Sequence, residues 1–237
     1  MKFLYGPTRE GIFVGVKDSN QILNYMKGVV GNIFCRTEVW YIDLDDNLAK
    51  SPAKAIAMRA IGTKHYDLRY IDWCINTALE LILHGKTAES RTWLEYVNNF
   101  LKDDKLEDEL AEFAEGFVEK SLYPGVPDLM DLIDGKRKML ITRNVSAIAE
   151  AYAKRLGLRF VANAWNKREV VAENLFEGSA SVMGDSGEDV EMLEGLNVGS
   201  RCLFYTLRNP KQELLDISDP VVYTSRDRRG LIEVLTK

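Results

Sequence analysis

The second half of the chain alternates between two patterns of apolar and polar residues. Short apolar runs typical of strands (KMLIT, LRFVAN, SASVMGD, CLFYTL, VVYT) alternate with amphipathic stretches typical of helices (PDLMDLID, VSAIAEAYAKRLG, KREVVAENL, EDVEMLEGL, GLIEVL). Upstream, RTEVWYIDLD predicts another buried strand, because its apolar residues are nearly continuous. Units of this kind join by right-handed crossovers into a parallel sheet that carries helices on both faces. The pattern therefore predicts an α/β fold, a three-layer, Rossmann-like parallel sheet core.

An all-helical insertion is predicted between the first core strand and the rest of the sheet. The stretches YIDWCINTALELILHG, SRTWLEYVNNFL and KLEDELAEFAEGFVEK all have helical periodicity. We assign residues 36–50 and 121–237 to the α/β core and residues 51–120 to the insertion, with hinges near residues 51–52 and 121–124. Residues 1–35 form an N-terminal extension of uncertain structure. In it, FLYG and GIFVGV predict strands, GPTREG a turn and SNQILNYMKG a short helix.

Composition narrows the class of protein. The formal net charge of −5 argues against a basic nucleic-acid surface. The three cysteines form no CxxC pair, so neither a disulfide framework nor a zinc site is indicated. No run of 18 apolar residues or signal-peptide pattern occurs. We therefore expect a cytoplasmic protein without nucleic-acid or membrane partners, and a homo-oligomer stays open.

Acidic and hydroxyl side chains follow three of the predicted strands. Asp43 and Asp45 follow VWYI, Thr142 follows KMLI, and Asp185 and Asp189 follow SASVMG. Reactive groups of an open parallel sheet gather at the carboxyl ends of its strands, so these side chains are expected to meet in one crevice. Clustered carboxylates repel one another unless a hard divalent cation lies among them. Magnesium is the expected cofactor, and its preference for phosphate oxygens indicates a phosphorylated substrate.

This set of groups also suggests a reaction. One carboxylate left to attack can accept a phosphoryl group as an aspartyl phosphate, which is a form of covalent catalysis. A second carboxylate two residues further on can protonate the departing alcohol and then activate water.

The ordered motifs WYIDLDDNL, KMLITRN, a downstream lysine and VMGDSGED resemble the haloacid dehalogenase superfamily of phosphohydrolases. The resemblance covers roughly residues 36–237, and the helical insertion lies where that family carries a C1-type cap. It implies that Asp43 is the nucleophile and Asp45 the general acid and base. It also implies a lysine that neutralises the phosphate, for which Lys167 is the first candidate and Arg168 the alternative. Lys154 and Arg155 fit this role less well, because they lie in a helix that leads into an earlier strand.

The resemblance implies further binding residues. The phosphate-binding set is Thr142, Arg143 and Asn144, where Arg143 either touches substrate or points to solvent. The magnesium set is Asp43, Asp45 through its backbone carbonyl, Asp185 and Asp189, the last directly or through water. Gly184 fits a backbone that closely approaches the metal site. The sequence departs from the family at Asn47, where Thr or Val is usual.

The predicted function is a magnesium-dependent phosphatase that hydrolyses a small phosphomonoester, with a small phosphorylated metabolite as its partner. A phosphosugar mutase would reuse the same carboxylates and return the phosphoryl group to its substrate. A non-catalytic binding or regulatory protein is the alternative from another class. A dehalogenase is disfavoured, because attack on a carbon–halogen bond needs no acid at position 45.

Overall fold

A computed structural model describes residues 6–8, 11–14, 28, 30–50, 104–186, 189–196, 201–206 and 221–236. Its strands form one eight-stranded sheet in the order β1-β2-β8-β7-β6-β3-β4-β5. Neighbouring strands are parallel except β1 and β2, which form an antiparallel hairpin. The strands are β1 (Gly6–Thr8), β2 (Gly11–Val14), β3 (Val39–Ile42), β4 (Arg137–Ile141), β5 (Arg159–Val161), β6 (Ala180–Gly184), β7 (Arg201–Thr206) and β8 (Val221–Thr224).

Helices connect these strands in the predicted alternation. Local signals set several of their ends: Gly157, at a φ of 65°, ends α4, and the side chain of Asn166 accepts a hydrogen bond from the Glu169 amide at the start of α5. The helices are α1 (residues 30–36), α2 (Asp104–Ser121), α3 (Val126–Leu132), α4 (Ser146–Leu156), α5 (Lys167–Glu173), α6 (Val190–Glu194) and α7 (Arg229–Thr236).

Strand β3 lies inside the sheet, between β6 and β4, and is covered on both faces. All four of its residues are buried. Trp40 and Ile42 pack in one apolar cluster with α2, α3, α4 and α7, whereas Val39 and Tyr41 pack in another with α5 and α6. Because successive strand residues point to opposite faces, this division identifies three layers. The predicted α/β fold class is thereby confirmed.

The direction of winding reverses at β3. The chain leaves β3 for β4 and β5 on one side, then returns to β6, β7 and β8 on the other. A reversal of this kind opens a crevice at the carboxyl ends of the central strands, where ligands of open α/β sheets bind. The ends of β3, β4 and β6 are thus the place to look for chemistry.

The N-terminal region corrects one prediction. Gly6–Thr8, which the pattern assigned to a turn, is strand β1, and it pairs with β2. Strand β2 in turn pairs in parallel with β8, so the hairpin extends the sheet at its edge. The strand that attaches this hairpin to the sheet, β8, lies more than 200 residues along the chain, so short-range sequence signals cannot supply its placement. The helix predicted over residues 19–28 lies outside the described residues, apart from residue 28, which is helical.

The division into core and insertion stays a prediction, since residues 51–103 lie outside the described residues. Helix α2 packs on α4, and its Leu110, Ala114 and Val118 belong to the same apolar cluster as α4. The two chain segments that flank the predicted insertion run together: the Lys50 amide donates to the Ser121 carbonyl over 2.9 Å, and the Tyr123 amide donates to the Leu48 carbonyl over 3.0 Å. Among the described helices, none is long and apolar enough to cross a membrane.

Candidate active site

Three neighbouring strands end in the polar residues that the sequence singled out. Asp43 follows β3, Thr142 follows β4 and Asp185 follows β6, and β3 pairs with both of the other strands. The Asp43 amide donates to the Met183 carbonyl over 2.9 Å, which fixes the end of β3 against β6. The predicted convergence of these side chains at one edge of the sheet is what the structure shows.

Lys167 is the cation of this cluster. It is the first residue of α5 and is only 3% exposed. Its ammonium lies 2.6 Å from Asp43 Oδ1 and 2.7 Å from Asp189 Oδ1. Burial by itself would lower the pKa of Lys167, but Asp189 and Asp43 outweigh burial and raise that pKa above its ordinary value. Lys167 is therefore a fixed positive charge between two buried carboxylates.

The environment of Asp43 favours the protonated acid. Burial raises the pKa of Asp43 well above its ordinary value, Lys167 opposes that rise, and Asp189 and Asp45 add to it. At Asp43, the Lys167 ammonium does not offset burial and the neighbouring carboxylates. An additional positive charge beside Asp43 would stabilise the ionised form that a nucleophile needs.

Asp189 is held rigidly from several directions. Its Oδ2 accepts hydrogen bonds from the Asp185 amide at 2.8 Å, from the Ser186 amide at 2.8 Å and from the Ser186 hydroxyl at 3.1 Å. A side chain at Gly184 would not fit, because a Cβ there would lie 2.4 Å from Asp189 Cγ. Gly184 is thus required by the close approach of the Asp189 carboxylate. With Lys167 on Oδ1, both oxygens of Asp189 accept hydrogen bonds within the protein.

Asp43, Asp185 and Asp189 form a set that fits a hard divalent cation. One carboxylate oxygen from each lies within 4.8 Å of the others, and all three residues are buried. Such a cation prefers carboxylate oxygens, and its charge would favour the ionised form of Asp43. Because both oxygens of Asp189 already accept hydrogen bonds, the donor set favours Asp43 and Asp185 as the direct ligands.

A second, mainly polar group lies next to this ionic cluster. The Asn144 side-chain amide donates to Asp45 Oδ2 over 2.5 Å and to Thr142 Oγ1 over 2.9 Å. Thr142 Oγ1 also accepts from the Asn144 backbone amide over 3.2 Å. These contacts use both hydrogens of the Asn144 amide and both acceptor sites of the Thr142 hydroxyl, which keeps its own hydrogen to donate. Asn144 therefore orients Asp45, and its predicted contact with phosphate stays a prediction.

The structure separates the candidate cations. Arg143 is 8% exposed, and its guanidinium carbon lies 6.0 Å from the centre of the Trp165 ring, so it does not point to solvent. The Arg168 side chain is 64% exposed and approaches Glu194, away from the cluster. Lys154 and Arg155 pair with Glu115 and Glu119 on the surface of α2. Of these, Lys167 is the one that contacts the carboxylates.

Sequence reasoning missed the part that Asn47 and Arg228 play. Asn47 is fully buried, and its side-chain amide donates to the carbonyls of Asp43, at 2.7 Å, and Met183, at 3.0 Å. Arg228 is also fully buried and donates to the Asn47 backbone and side-chain oxygens at 2.8 and 2.5 Å. The departure from the family at Asn47 was the available signal. Nothing in the sequence connected it with an arginine 181 residues away.

Comparison with known proteins adds information about the fold. No protein-family model and no curated protein sequence matches this chain. DsGPDH of Dunaliella salina aligns with a TM-score of 0.58 and 14% identity over 93% of this chain, which spans only 38% of the length of DsGPDH. A cytosolic 5'-nucleotidase IIIB bound to cytidine aligns with a TM-score of 0.54 and 14% identity, over 91% of this chain and 89% of that protein.

At this identity the two likenesses bear on the fold alone. They extend over nearly the whole chain. The chain shares the fold of these two structures.

Proposed function

We propose that this protein is a magnesium-dependent phosphatase that hydrolyses a small phosphomonoester through a phosphorylated Asp43. The observation that carries the proposal is the buried ionic cluster, in which Lys167 bridges Asp43 and Asp189 and an Asp185 oxygen lies within 4.8 Å of theirs. Burying that many charges is costly and is weak evidence of a stabilising role. A buried carboxylate with a raised pKa, such as Asp43, in a crevice at strand ends is instead typical of a catalytic site.

Asp43 supplies the nucleophile. In the first step its carboxylate oxygen forms a bond to phosphorus as the bond from phosphorus to the ester oxygen breaks, leaving an aspartyl phosphate and an alcohol. Lys167, 2.6 Å from Asp43 Oδ1, favours the ionised carboxylate before attack. Its charge also opposes the negative charge on the phosphoryl oxygens during transfer.

Asp45 moves the protons. It gives a proton to the departing ester oxygen, then takes one from the water whose oxygen attacks phosphorus. The second attack releases inorganic phosphate and restores the Asp43 carboxylate. The Asn144 amide, 2.5 Å from Asp45 Oδ2, holds the acid in one orientation through both steps.

Neutral and positively charged groups would together hold the phosphoryl group. The Thr142 hydroxyl keeps a hydrogen for a phosphoryl oxygen, since its acceptor sites are occupied by Asn144. The Arg143 side chain, buried beside Trp165, is a second candidate. Magnesium held by Asp43 and Asp185 would neutralise charge on the transferring phosphoryl group. The predicted magnesium contact through the Asp45 backbone carbonyl belongs to this proposal as well.

The test is phosphate release from a panel of phosphorylated metabolites, measured with magnesium, with a chelator, and with Asp43→Asn and Asp45→Ala. Nucleoside 5'-monophosphates enter the panel first, because a structural neighbour is a 5'-nucleotidase bound to cytidine. We expect turnover with magnesium that the chelator and both substitutions remove. Equal release by the intact protein and both variants would rule out the phosphatase.

A mutase is distinguished in the same assay. If a phosphosugar is isomerised in the presence of magnesium and inorganic phosphate is not released stoichiometrically, the protein is a mutase. The carboxylates would then return the phosphoryl group to the substrate. Binding of a panel member without either reaction would favour the non-catalytic alternative.

A further inference from the structure

The C-terminal loop, residues 225–228, contacts two segments that the proposed reaction needs. It lies between β8 and α7 and touches the turn that carries Asp43 and Asp45, here called the catalytic turn (residues 43–49). It also touches the returning linker (residues 122–125), which follows the predicted helical insertion. None of these contacts is used by the proposed reaction, so they require a separate explanation.

Arg228 connects the loop to the nucleophile through one residue. Its Nη2 donates to the Asn47 carbonyl at 2.8 Å and to Asn47 Oδ1 at 2.5 Å. The Asn47 side-chain amide then donates to the Asp43 carbonyl at 2.7 Å. The Asn47 side-chain amide accepts from Arg228 through its oxygen and donates to the Asp43 carbonyl through its nitrogen. Asn47 therefore links the position of Arg228 to the backbone of Asp43.

Arg226 holds the same turn at its most constrained residue. Asp46 has a φ of 55°, in the left-handed region that a side chain other than glycine rarely occupies. Its Oδ1 lies 2.9 Å from Arg226 Nη2 and accepts a hydrogen bond from the Tyr123 hydroxyl at 3.0 Å. Two neighbouring segments thus contact the turn that carries Asp43 and Asp45.

The returning linker is bound to the same loop. The Arg228 amide donates to the Pro124 carbonyl over 2.8 Å, and the Arg226 guanidinium carbon lies 5.4 Å from the centre of the Tyr123 ring. The fit is tight at Gly125, which has a φ of 79° and where a Cβ would lie 2.8 Å from the Arg229 amide nitrogen. A shift of the returning linker would therefore displace the C-terminal loop, which in turn contacts the catalytic turn.

Arg228 remains charged while it makes these contacts. Burial lowers the pKa of Arg228 to about 10, and Asp185 opposes the change, so the group is a cation at neutral pH. Burying a guanidinium completely is costly unless its N–H donors are paired. Its second branch donates from Nη1 to Thr224 Oγ1, at the end of β8.

We propose that the C-terminal loop is a positioning clamp, in which Arg228 acts through Asn47 and Arg226 acts through Asp46. The clamp aligns Asp43 and Asp45 and couples them to the linker that returns from the predicted insertion. Arg228 and Arg226 are positioning residues, since neither is placed among the reacting atoms. This inference deepens the proposed phosphatase and rests on it for its kinetic readout.

The kinetic test compares four variants, with p-nitrophenyl phosphate and magnesium as the probe. Arg228→Lys keeps the charge but cannot make the forked contact, and we expect kcat to fall about 10- to 100-fold with KM changed by less than about threefold. Asn47→Asp keeps acceptors for Arg228 but loses the donor to the Asp43 carbonyl, so it should lower kcat similarly. Arg226→Ala should have a smaller effect, about threefold on kcat. Lys154→Ala is the control, because the Lys154 side chain is 75% exposed and pairs with Glu115, outside the C-terminal loop and the catalytic turn.

Hydrogen exchange supplies a readout that does not depend on activity. Amides of the catalytic turn should exchange faster in Arg228→Lys and Asn47→Asp than in the intact protein or Lys154→Ala. The Pro124 region should loosen in Arg228→Lys as well. If Arg228→Lys does not fold, the Asn47→Asp and Arg226→Ala variants decide the matter by the same two measurements.

Two failures can be told apart. Folded Arg228→Lys and Asn47→Asp proteins with kcat within about twofold of the intact protein and unchanged exchange would overturn the clamp. If the intact protein hydrolyses no phosphate ester, the phosphatase proposal fails, and the exchange measurement alone decides the clamp. Faster exchange confined to the clamp variants would then support it, and identical exchange would overturn it.

Discussion

Lys167 and Lys154 make similar contacts in opposite surroundings. Each ammonium lies within 3 Å of a carboxylate: Lys167 at 2.6 Å from Asp43, and Lys154 at 2.9 Å from Glu115. The Lys167 side chain is 3% exposed and that of Lys154 is 75% exposed. Water screens the surface pair, whereas the low-dielectric interior leaves the buried charges strongly coupled.

The same contrast extends to what surrounds each pair. Lys154–Glu115 and Arg155–Glu119 lie on the outer side of the contact between α2 and α4, and each ion pair can be rehydrated at little cost. Lys167 is enclosed by Asp43 and Asp189, whose charges cannot be rehydrated without opening the core. A buried group of charges that stability does not require is therefore better evidence of function than an exposed ion pair. The predictions below test this contrast, beginning with the largest effect.

The largest expected effect is on turnover. Asp43→Asn should reduce phosphate release by at least about 10⁴-fold, because the amide cannot attack phosphorus. Glu115→Gln makes the same chemical change at the surface pair and should leave turnover unchanged. Both are measured as kcat with the best substrate of the panel. Undiminished turnover in properly folded Asp43→Asn would refute the covalent route.

Removing the buried cation should destabilise the protein strongly. Lys167→Met leaves Asp43 and Asp189 without their shared partner and should lower the free energy of unfolding by about 3–5 kcal/mol. Lys154→Met is the matched control and should leave the urea midpoint unchanged, since its charge is exposed. Equal midpoints for the two variants would mean that burial does not distinguish the pairs.

The buried side of the contact between α2 and α4 contains a tyrosine whose titration should make stability depend on pH. Burial raises the pKa of Tyr152 to about 12, the hydrogen bond with the Ser121 hydroxyl opposes this, and Asp45 adds to it. Between pH 10 and 12 the unfolded chain loses this proton while the folded protein keeps it. Stability should fall across that window by up to about 3 kcal/mol.

The control for this pH dependence is Tyr152→Phe, which removes the titrating group. Its stability, followed by urea unfolding from pH 9 to 12, should decline less steeply than that of the intact protein. Parallel declines would show that Tyr152 does not contribute.

The smallest effect is expected at the other surface pair. Glu119→Gln removes the partner of Arg155, and the urea midpoint should not change at low or at high salt. A clear loss of stability at low salt that disappears in 1 M salt would show that the surface pairs matter more than their exposure implies.

Much of the fold could be predicted because local patterns and burial agree. The nearly continuous apolar run VWYI predicted a strand covered on both faces, and all four of its residues are buried as β3. The alternation after Tyr123 predicted β4 to β8 and the helices between them. The N-terminal hairpin was the exception, because Gly6–Thr8 becomes a strand through β2, which is itself held by β8.

The candidate site was predictable in outline for a similar reason. Carboxyl ends of adjacent parallel strands must meet, so motifs at the ends of β3, β4 and β6 were expected to converge once the sheet was assumed. The choice between Lys167 and Arg168 was not predictable. Neighbouring residues of a helix point about 100° apart, and only the packing of α5 decides which of them faces Asp43.

The sequence by itself determined the α/β class, the strand that carries the paired aspartates and the order of the acidic motifs, because periodicity and strand ends are local properties. Tertiary structure alone decided that Lys167 lies between Asp43 and Asp189, that Asn144 orients Asp45, and that Arg228 reaches Asn47. Those contacts join residues from 22 to 181 positions apart. Their distances are set by how the layers pack, which no local pattern records.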